Sequence, residues 1–567
     1  MAGRGKGKAV IGIVVGAVVV VGLVFGILAI TRNFGKSERE VSKESATSSL
    51  SHMVERIAPD TAQPVRSSVE YVEEDETNAD ELPELDTNKI TAPASTALYA
   101  EIWCSPEKAG EGTDGWMREL AEQFNRAGYS VGGQAVSVQI RNVSSGLAVD
   151  YMTTGKARAD AISPSNSMWV GFLEAKGVKV DVVRDRTVGN VAGALLNQEH
   201  YDQLVSKYGQ ADLKAITEAV GAGELTMGYT NPFTSSTGLN FLVSTLLRYD
   251  RNDPLSAQAA EGFSKFQANV PFVALTTVQM RDAAARGSLD GFVTEHQLYA
   301  NDPSLSRAYK FIPFGYRHDN PLVAFATTGE QQREIVELFA QYCDDHGSEL
   351  AERYGFNGMD SYVSELPEVD GATLVAAQKL YKQNKDTGRP VVAVFVADVS
   401  GSMDGSPMHA LQESLINSMR YIKPENYVGL VSYSDYVTIN VPVAPFDLAQ
   451  QSLFKGAVES LRAAGGTATY DAITVGLSLV QKQLEQTPDA KPMVFVLSDG
   501  YANTGVYDSL DQITDVVRGL KVPIYTIGYN ADIDALRSIS SLNEAAAIDA
   551  STDDVTYQLK NLFNANM

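Results

Sequence analysis

Two cysteines in 567 residues, Cys104 and Cys343, are too few for a disulfide framework or a four-thiolate zinc site, and neither belongs to a Cys-x-x-Cys pair. Histidine is also scarce. The six, at positions 52, 200, 296, 318, 346 and 409, include no H-E-x-x-H pair. The chain carries no Gly-x-Ser-x-Gly elbow and no Walker loop, and nothing in the sequence brings a histidine and an acid to Cys104, so no catalytic residue is assigned. Positive charge is short as well. Against 70 Asp+Glu stand 46 Lys+Arg, a net charge of −24, which argues against nucleic acid as a partner because phosphate neutralisation needs clustered bases. At about 100–200 residues per domain, the length calls for roughly three domains.

Long apolar runs are absent except for one. Ala9 to Ile30 is uncharged throughout, long enough to cross a bilayer as a helix and longer than a cleavable h-region. An uncleaved single-pass anchor is expected over residues 1–32, and a lipoprotein anchor is excluded because the first cysteine is Cys104. Its flanks nearly balance, with Arg4, Lys6 and Lys8 before it and Arg32, Lys36, Arg39 and Lys43 after it. Gly12/Gly16 and Gly22/Gly26 give two G-x-x-x-G spacings of the kind that lets membrane helices pack closely. Residues 33–96 show no sustained period, and residues 70–86 hold Glu70, Glu73, Glu74, Asp75, Glu76, Asp80, Glu81, Glu84 and Asp86 with no base. This reads as a disordered, self-repelling acidic linker.

From residue 97 to about 382, strand-like and helix-like patches alternate, beginning with Leu98–Trp103 and an amphipathic stretch through Trp116, Met117, Leu120, Ala121 and Phe124. Three polar loops each follow an apolar run: one with Ser163, Ser165 and Asn166, one with Thr234-Ser235-Ser236-Thr237-Gly238, and one ending in Glu295. The second opens a helix-like run to Tyr249, which would aim free backbone N–H groups and hydroxyls at a polar solute. At these residues the region resembles the type II periplasmic solute-binding proteins, whose two α/β lobes close on a ligand. The resemblance implies a cleft lined by Ser163, Ser165, Asn166, Thr234, Ser235, Ser236, Thr237 and Glu295. No arginine clamp for an oxyanion is evident.

The region 388–565 is more specific. Val391–Ala397 is a valine-rich run suited to a strand buried on both faces, and it ends in Asp398-Val399-Ser400-Gly401-Ser402. Further strands over Tyr427–Tyr433, Val437–Val441, Met493–Leu497 and Val522–Gly528 alternate with helices, which predicts a Rossmann-like, doubly wound, mostly parallel sheet. Sites in such sheets form outside the strand carboxyl ends, where Asp398 and Asp499 can meet. With the Gly465-Gly466-Thr467 loop, the D-x-S-x-S and Ser498-Asp499-Gly500 loops resemble the von Willebrand factor type A (VWA) domain and its metal-ion-dependent adhesion site (MIDAS). Matched position by position, Asp398, Ser400, Ser402, Thr467 and Asp499 would be the metal-binding residues. Two carboxylates and three hydroxyls are hard oxygen donors suited to magnesium, Mg²⁺, or to Mn²⁺. The resemblance implies protein binding through a partner's carboxylate. His409, Asp404 and Asp435 are expected at the surface.

Together these features predict an α/β chain with a transmembrane helix, a two-lobed solute-binding-like domain and a VWA domain. Its expected place is the cell membrane, with the bulk of the chain extracytoplasmic, and its expected role is adhesion to a protein partner rather than catalysis. Two other readings share the same residues: the substrate-binding receptor of a transport system, and a cytosol-facing VWA assembly subunit.

Overall fold

A computed structural model describes residues 41–69, 79, 82–270, 272–274, 277, 280, 290–385, 389–500, 502–529, 533–540, 542, 547–549 and 555–566. The Ala9–Ile30 run with its glycine spacings, and most of the acidic run, lie outside these residues. Among the described residues no helix is long and apolar enough to cross a membrane.

The C-terminal sheet is built around Val391–Asp398, a strand buried along its whole length. Tyr427–Tyr433 and Lys491–Ser498 flank it in parallel, Ile524–Gly528 and Ala547–Asp549 extend one side, and Val437–Pro445 turns back antiparallel on the other. Successive side chains alternate between two cores. Val391, Ala393, Phe395 and Ala397 pack with Met408, Leu411, Leu415, Phe454 and Phe563. Val392, Val394 and Val396 pack with Ile473, Leu477, Val516 and Val517. This two-faced burial is why the run carries no polar residue before Asp398. The parallel register brings the carboxyl ends of Val391–Asp398 and Lys491–Ser498 side by side, with Ala397 opposite Leu497.

The expected disordered linker is corrected by the structure over residues 42–68, which strap the C-terminal sheet. Lys43–Ile57 is a helix capped by the Ser42 side chain, which accepts from the Ser45 N–H. Its buried residues, Ala46, Leu50 and Met53, repeat at the spacing of one helical face and join the even-numbered core. The helix lies so close to the Leu510–Leu520 helix that a Cβ on Gly519 would sit 2.6 Å from that of Ala46. At the far end Arg56 covers the Tyr507 ring at 5.3 Å. Asp60–Thr61 then adds a parallel edge strand against Thr438 and Ile439. Ser67 exchanges hydrogen bonds with Ser452, its N–H donating to the Ser452 carbonyl at 3.0 Å and its carbonyl accepting from Ser452 Oγ at 2.7 Å. A short extended spacer would make none of these contacts.

Between the strap and the C-terminal sheet the chain forms two lobes. One sheet orders its strands Ile90–Ala92, Gln134–Asn142, Leu98–Cys104, Ala161–Ser163, Leu322–Phe325 and Val180–Arg184. The other orders Phe272–Ala274, Met227–Thr230, Gly291–Glu295, Asn190–Asn197 and Tyr309–His318. The chain passes between them after Arg184 and after His318. This body starts before residue 97, since Leu82 is buried and the Pro83 carbonyl accepts from the Tyr151 hydroxyl at 2.9 Å. The Gly371–Asn384 helix closes it, with Gln378 donating to the Pro232 carbonyl at 2.8 Å and Tyr381 packing on Phe233 and Phe263. It runs on through Lys385, whose ammonium donates to the Phe563 carbonyl, towards Val391.

The two bodies meet along the Val555–Asn566 helix, where the Tyr557 hydroxyl donates to Asp150 Oδ2 at 3.5 Å and Leu195, Ala274 and Phe292 join the core of Phe395 and Phe563, and at the amino-terminal pole of the C-terminal sheet. There Arg389 donates to the Ala268 carbonyl at 3.1 Å, and Lys491, Pro492 and Lys521 border the same crevice as Gln267 and Val270. Gly519, where the strap helix begins, is at that pole too. The carboxyl-end pole, with Asp398 and Asp499, is opposite.

Candidate functional site

Three loops meet at the carboxyl-end pole. Asp398 ends the central strand and is fully buried. Its Oδ1 accepts the Ser400 N–H at 2.8 Å, and its Oδ2 accepts Ser498 Oγ at 2.6 Å and the Tyr433 hydroxyl at 3.3 Å. Beyond it runs a chain of oxygens. Ser400 Oγ and Ser402 Oγ are 3.1 Å apart, and Ser402 Oγ donates to Asp499 Oδ1 at 2.9 Å. The loop carrying Thr467 is pinned alongside by the Gly401 N–H, which donates to the Gly465 carbonyl at 3.0 Å. Thr467 is held through its backbone, its N–H donating to Asn503 Oδ1 at 2.9 Å and its carbonyl accepting the Asn503 N–H at 3.0 Å. All five residues expected at a metal are therefore on three adjoining loops.

Burial pushes the Asp398 carboxyl above the usual carboxylate range, and the neighbouring Asp499 charge acts the same way, against the hydrogen bonds from Ser498 and Ser400. Two carboxylates and three hydroxyls at one buried-to-open boundary are a donor set of hard oxygens, which fits Mg²⁺ or Mn²⁺ and not a soft metal. Among the described residues no group of three or more His, Cys, Asp and Glu side chains is placed to hold a metal. A set of two acids with three alcohols does not depend on such a group.

The pattern of the sequence did not disclose the residues that hold these loops. Asp435 is exposed, as expected, but it also accepts the Gly466 N–H at 3.0 Å. Gly465 has φ +82°, and a Cβ there would come within 2.5 Å of Asp435 Oδ2, so the turn requires glycine. Asp471, buried in the Thr469–Gln486 helix, accepts the Val506 and Tyr507 N–H groups at 2.7 and 2.8 Å and so fixes the loop after Asp499. Side chains that bind backbone from a distance leave no periodic trace. His409 and Asp404 are exposed, as expected.

The eight residues expected around a solute also converge, but on each other. Ser236 Oγ donates to Ser145 Oγ at 3.0 Å and accepts Trp169 Nε1 at 2.9 Å, and Asn166 Nδ2 donates to the Ser236 carbonyl at 3.3 Å. Ser165 Oγ donates to Glu107 Oε1 at 2.6 Å. Thr237 Oγ1 donates to Glu295 Oε1 at 2.6 Å, and Ser235 Oγ lies 3.0 Å from Thr230 Oγ1. Ser163 is buried with its Oγ unpartnered. The cavity bordered by Ser105, Glu107, Ser145, Ser165, Thr234 and Glu295 measures about 20 Å³, the room of about one water. Among the described residues no arginine or lysine borders it.

His318, which the sequence did not single out, completes this centre. It is fully buried, its Nδ1 is 3.0 Å from Glu295 Oε1, and its Nε2 is 3.1 Å from Asn240 Nδ2. Burial alone would raise the Glu295 carboxyl. The His318 ring, the Thr237 hydroxyl and the Lys108 charge outweigh it and hold the carboxyl below its ordinary value. Cys104 and Cys343 are free, buried thiols, and burial pushes Cys104 up to about 12, which leaves it protonated and inert at neutral pH.

Residues 393–565 match the profile of the von Willebrand factor type A domain. The bovine (Bos taurus) inter-alpha-trypsin inhibitor heavy chain H3 is 31% identical over 159 residues, covering 26% of this chain and 17% of that protein. This chain thus spans less than a fifth of that relative's length. Among solved structures, a von Willebrand factor type A protein from Catenulispora acidiphila is 20% identical with a TM-score of 0.28, covering 31% of this chain and 42% of its own. A periplasmic thiamin binding protein is 10% identical with a TM-score of 0.40, covering 52% of this chain and 98% of its own. The C-terminal part of the chain, residues 393–565, is a von Willebrand factor type A domain.

Proposed function

We propose that this chain is a membrane-anchored, extracytoplasmic binding protein that captures a protein partner through a divalent cation held by Asp398, Ser400, Ser402, Thr467 and Asp499. The observation that carries the reading is the row of oxygens from Ser400 through Ser402 to Asp499, spaced about 3 Å and open to solvent at Ser402, beside an Asp398 carboxylate that accepts the Ser400 N–H at 2.8 Å. A bound Mg²⁺ supplies a Lewis-acidic position for a carboxylate. The protein's part is to hold the oxygens in place: Ser498 and Tyr433 orient Asp398, Asn503 and Asp435 fix the Thr467 loop, and Asp471 fixes the Asp499 loop. Among the described residues no histidine or lysine hydrogen-bonds to these oxygens, and in this reading the arrangement serves binding.

The anchor is assigned to Ala9–Ile30 on the sequence alone. The outward orientation rests on the solute-binding resemblance of the two-lobed body. That body acts in this reading as a support for the VWA domain and as a receptor for a small solute only once its lobes part, since the closed cleft holds about 20 Å³. Protease treatment of intact cells tests the topology. Cleavage of the folded part without lysis is the expected result, and protection until lysis would favour the cytosol-facing assembly reading.

A further inference from the structure

A net charge of −24 makes a cluster of bases unusual on this chain, and one exists where the two bodies meet at the amino-terminal pole of the C-terminal sheet. A crevice of about 300 Å³ opens there, at the lower end of the size of small-ligand pockets, which favour junctions between domains. Three cations border it from three elements. Arg389 stands on the connection between the bodies, Lys491 opens the Lys491–Ser498 strand, and Lys521 follows the Leu510–Leu520 helix with φ +53°. Among the described residues no Asp or Glu borders the crevice.

Arg389 is fixed across the junction. Its Nε donates to the Asp489 carbonyl and its Nη1 to the Ala268 carbonyl at 3.1 Å, so both of its acceptors are uncharged. Among the described residues neither Arg389 nor Lys521 forms an ion pair, and the exposed Lys521 ammonium makes no hydrogen bond. A cleft lined by one sign of charge concentrates the opposite ion, and a bound anion offsets the repulsion among the three bases. The other walls are largely apolar or amide: Pro492, Met493 and Pro523 on the sheet side, Val270 and Gln267 on the two-lobed body.

We infer that this crevice is a binding site for a small organic anion, an oxyanion head of the carboxylate or phosphate kind on a compact apolar body. Arg389, Lys491 and Lys521 take the head, and Val270, Met493 and Pro523 take the body. A ligand so placed touches both bodies of the chain at once and fastens their junction. The site is separate from the oxygens of Asp398 and Asp499 and from the closed cleft around Glu295.

The test uses the purified full-length chain, stripped of divalent cations so that none can take up the probe at Asp398 and Asp499. Phenyl phosphate, phenylacetate and the uncharged benzyl alcohol are titrated by calorimetry, and hydrogen exchange locates what binds. At least one of the two anions is expected to bind at a single site, roughly tenfold or more tighter than benzyl alcohol, and to protect segments 263–270 and 518–524 together. Lys521→Gln, at an exposed position where the fold is not at risk, should weaken that anion about three- to tenfold, and Lys521→Arg should keep it. Lys176→Gln, at an exposed base elsewhere on the two-lobed body, should change nothing. Failure of both anions, equal binding of benzyl alcohol, protection at 163–166 and 234–238 in place of the junction, or Lys521→Gln matching the unmutated chain would overturn the inference.

Discussion

If the segment 42–68 is part of the VWA domain, a single truncation in it must be felt in the central strand. Leu50 is 2% exposed and belongs to the same core as Val392, Val394, Val396, Val516 and Val517. Leu→Ala in a core costs about 2–5 kcal/mol, and the lower part of that range applies here because a helix held on one face can settle into the gap, giving about 2–3 kcal/mol. At tenfold per 1.4 kcal/mol this is a loss of roughly 30- to 150-fold in protection where exchange follows opening of this core. Hydrogen exchange read by mass spectrometry on peptides covering Val391–Asp398 and Leu510–Leu520 measures it in the intact chain, where a multi-domain melt would blur the assignment. Ser51→Ala, one residue along on the exposed face, should lie within about 0.5 kcal/mol of the unmutated protein. Equal protection in Leu50→Ala and Ser51→Ala would refute the strap and restore an extended spacer.

Three other outcomes follow from the same contacts. Asp471→Ala leaves the Val506 and Tyr507 N–H groups without their acceptor, so about 1–3 kcal/mol of local stability should be lost and Mn²⁺ affinity should fall; unchanged exchange over 499–509 would contradict this. Glu295 has its folded pKa depressed, so its contribution is present above the ordinary value of 4.5 and is lost as pH falls through the lower folded value. Urea unfolding between about pH 3 and 6 should therefore steepen with acid in the unmutated chain and flatten in Glu295→Gln, and identical slopes would count against the pair. His318→Ala strands the buried Glu295 carboxylate and should cost about 3–5 kcal/mol in the two-lobed body, checked by its denaturant midpoint, with a shift below about 1 kcal/mol excluding the pairing.

The VWA sheet was legible because its strands are buried on both faces. Val391–Ala397 and Met493–Leu497 stand out as unbroken apolar runs, and each ends in the acid that the parallel register then sets beside the other. The strap escaped notice because its apolar positions, Ala46, Leu50, Met53 and Ile57, are diluted by Ser, Glu and Lys, so composition outweighed a period that was present. The three polar loops of the two-lobed body do come together in the fold, but their chemistry depends on how far two lobes are closed, and closure is a three-dimensional property with no local code. Asp435, Asp471, Asn503 and His318 act on partners 23 to 36 positions away. Such pairings appear only once the chain is folded.

The central claim is that five oxygen-bearing side chains hold a divalent cation. Calorimetric titration of the metal-depleted full-length chain with MnCl₂ tests it most directly, beside Asp398→Ala and the exposed control Asp404→Ala. The account predicts one saturable site in the unmutated chain and in Asp404→Ala, and none in Asp398→Ala. Equal Mn²⁺ affinity in all three, or no binding in any, would contradict it.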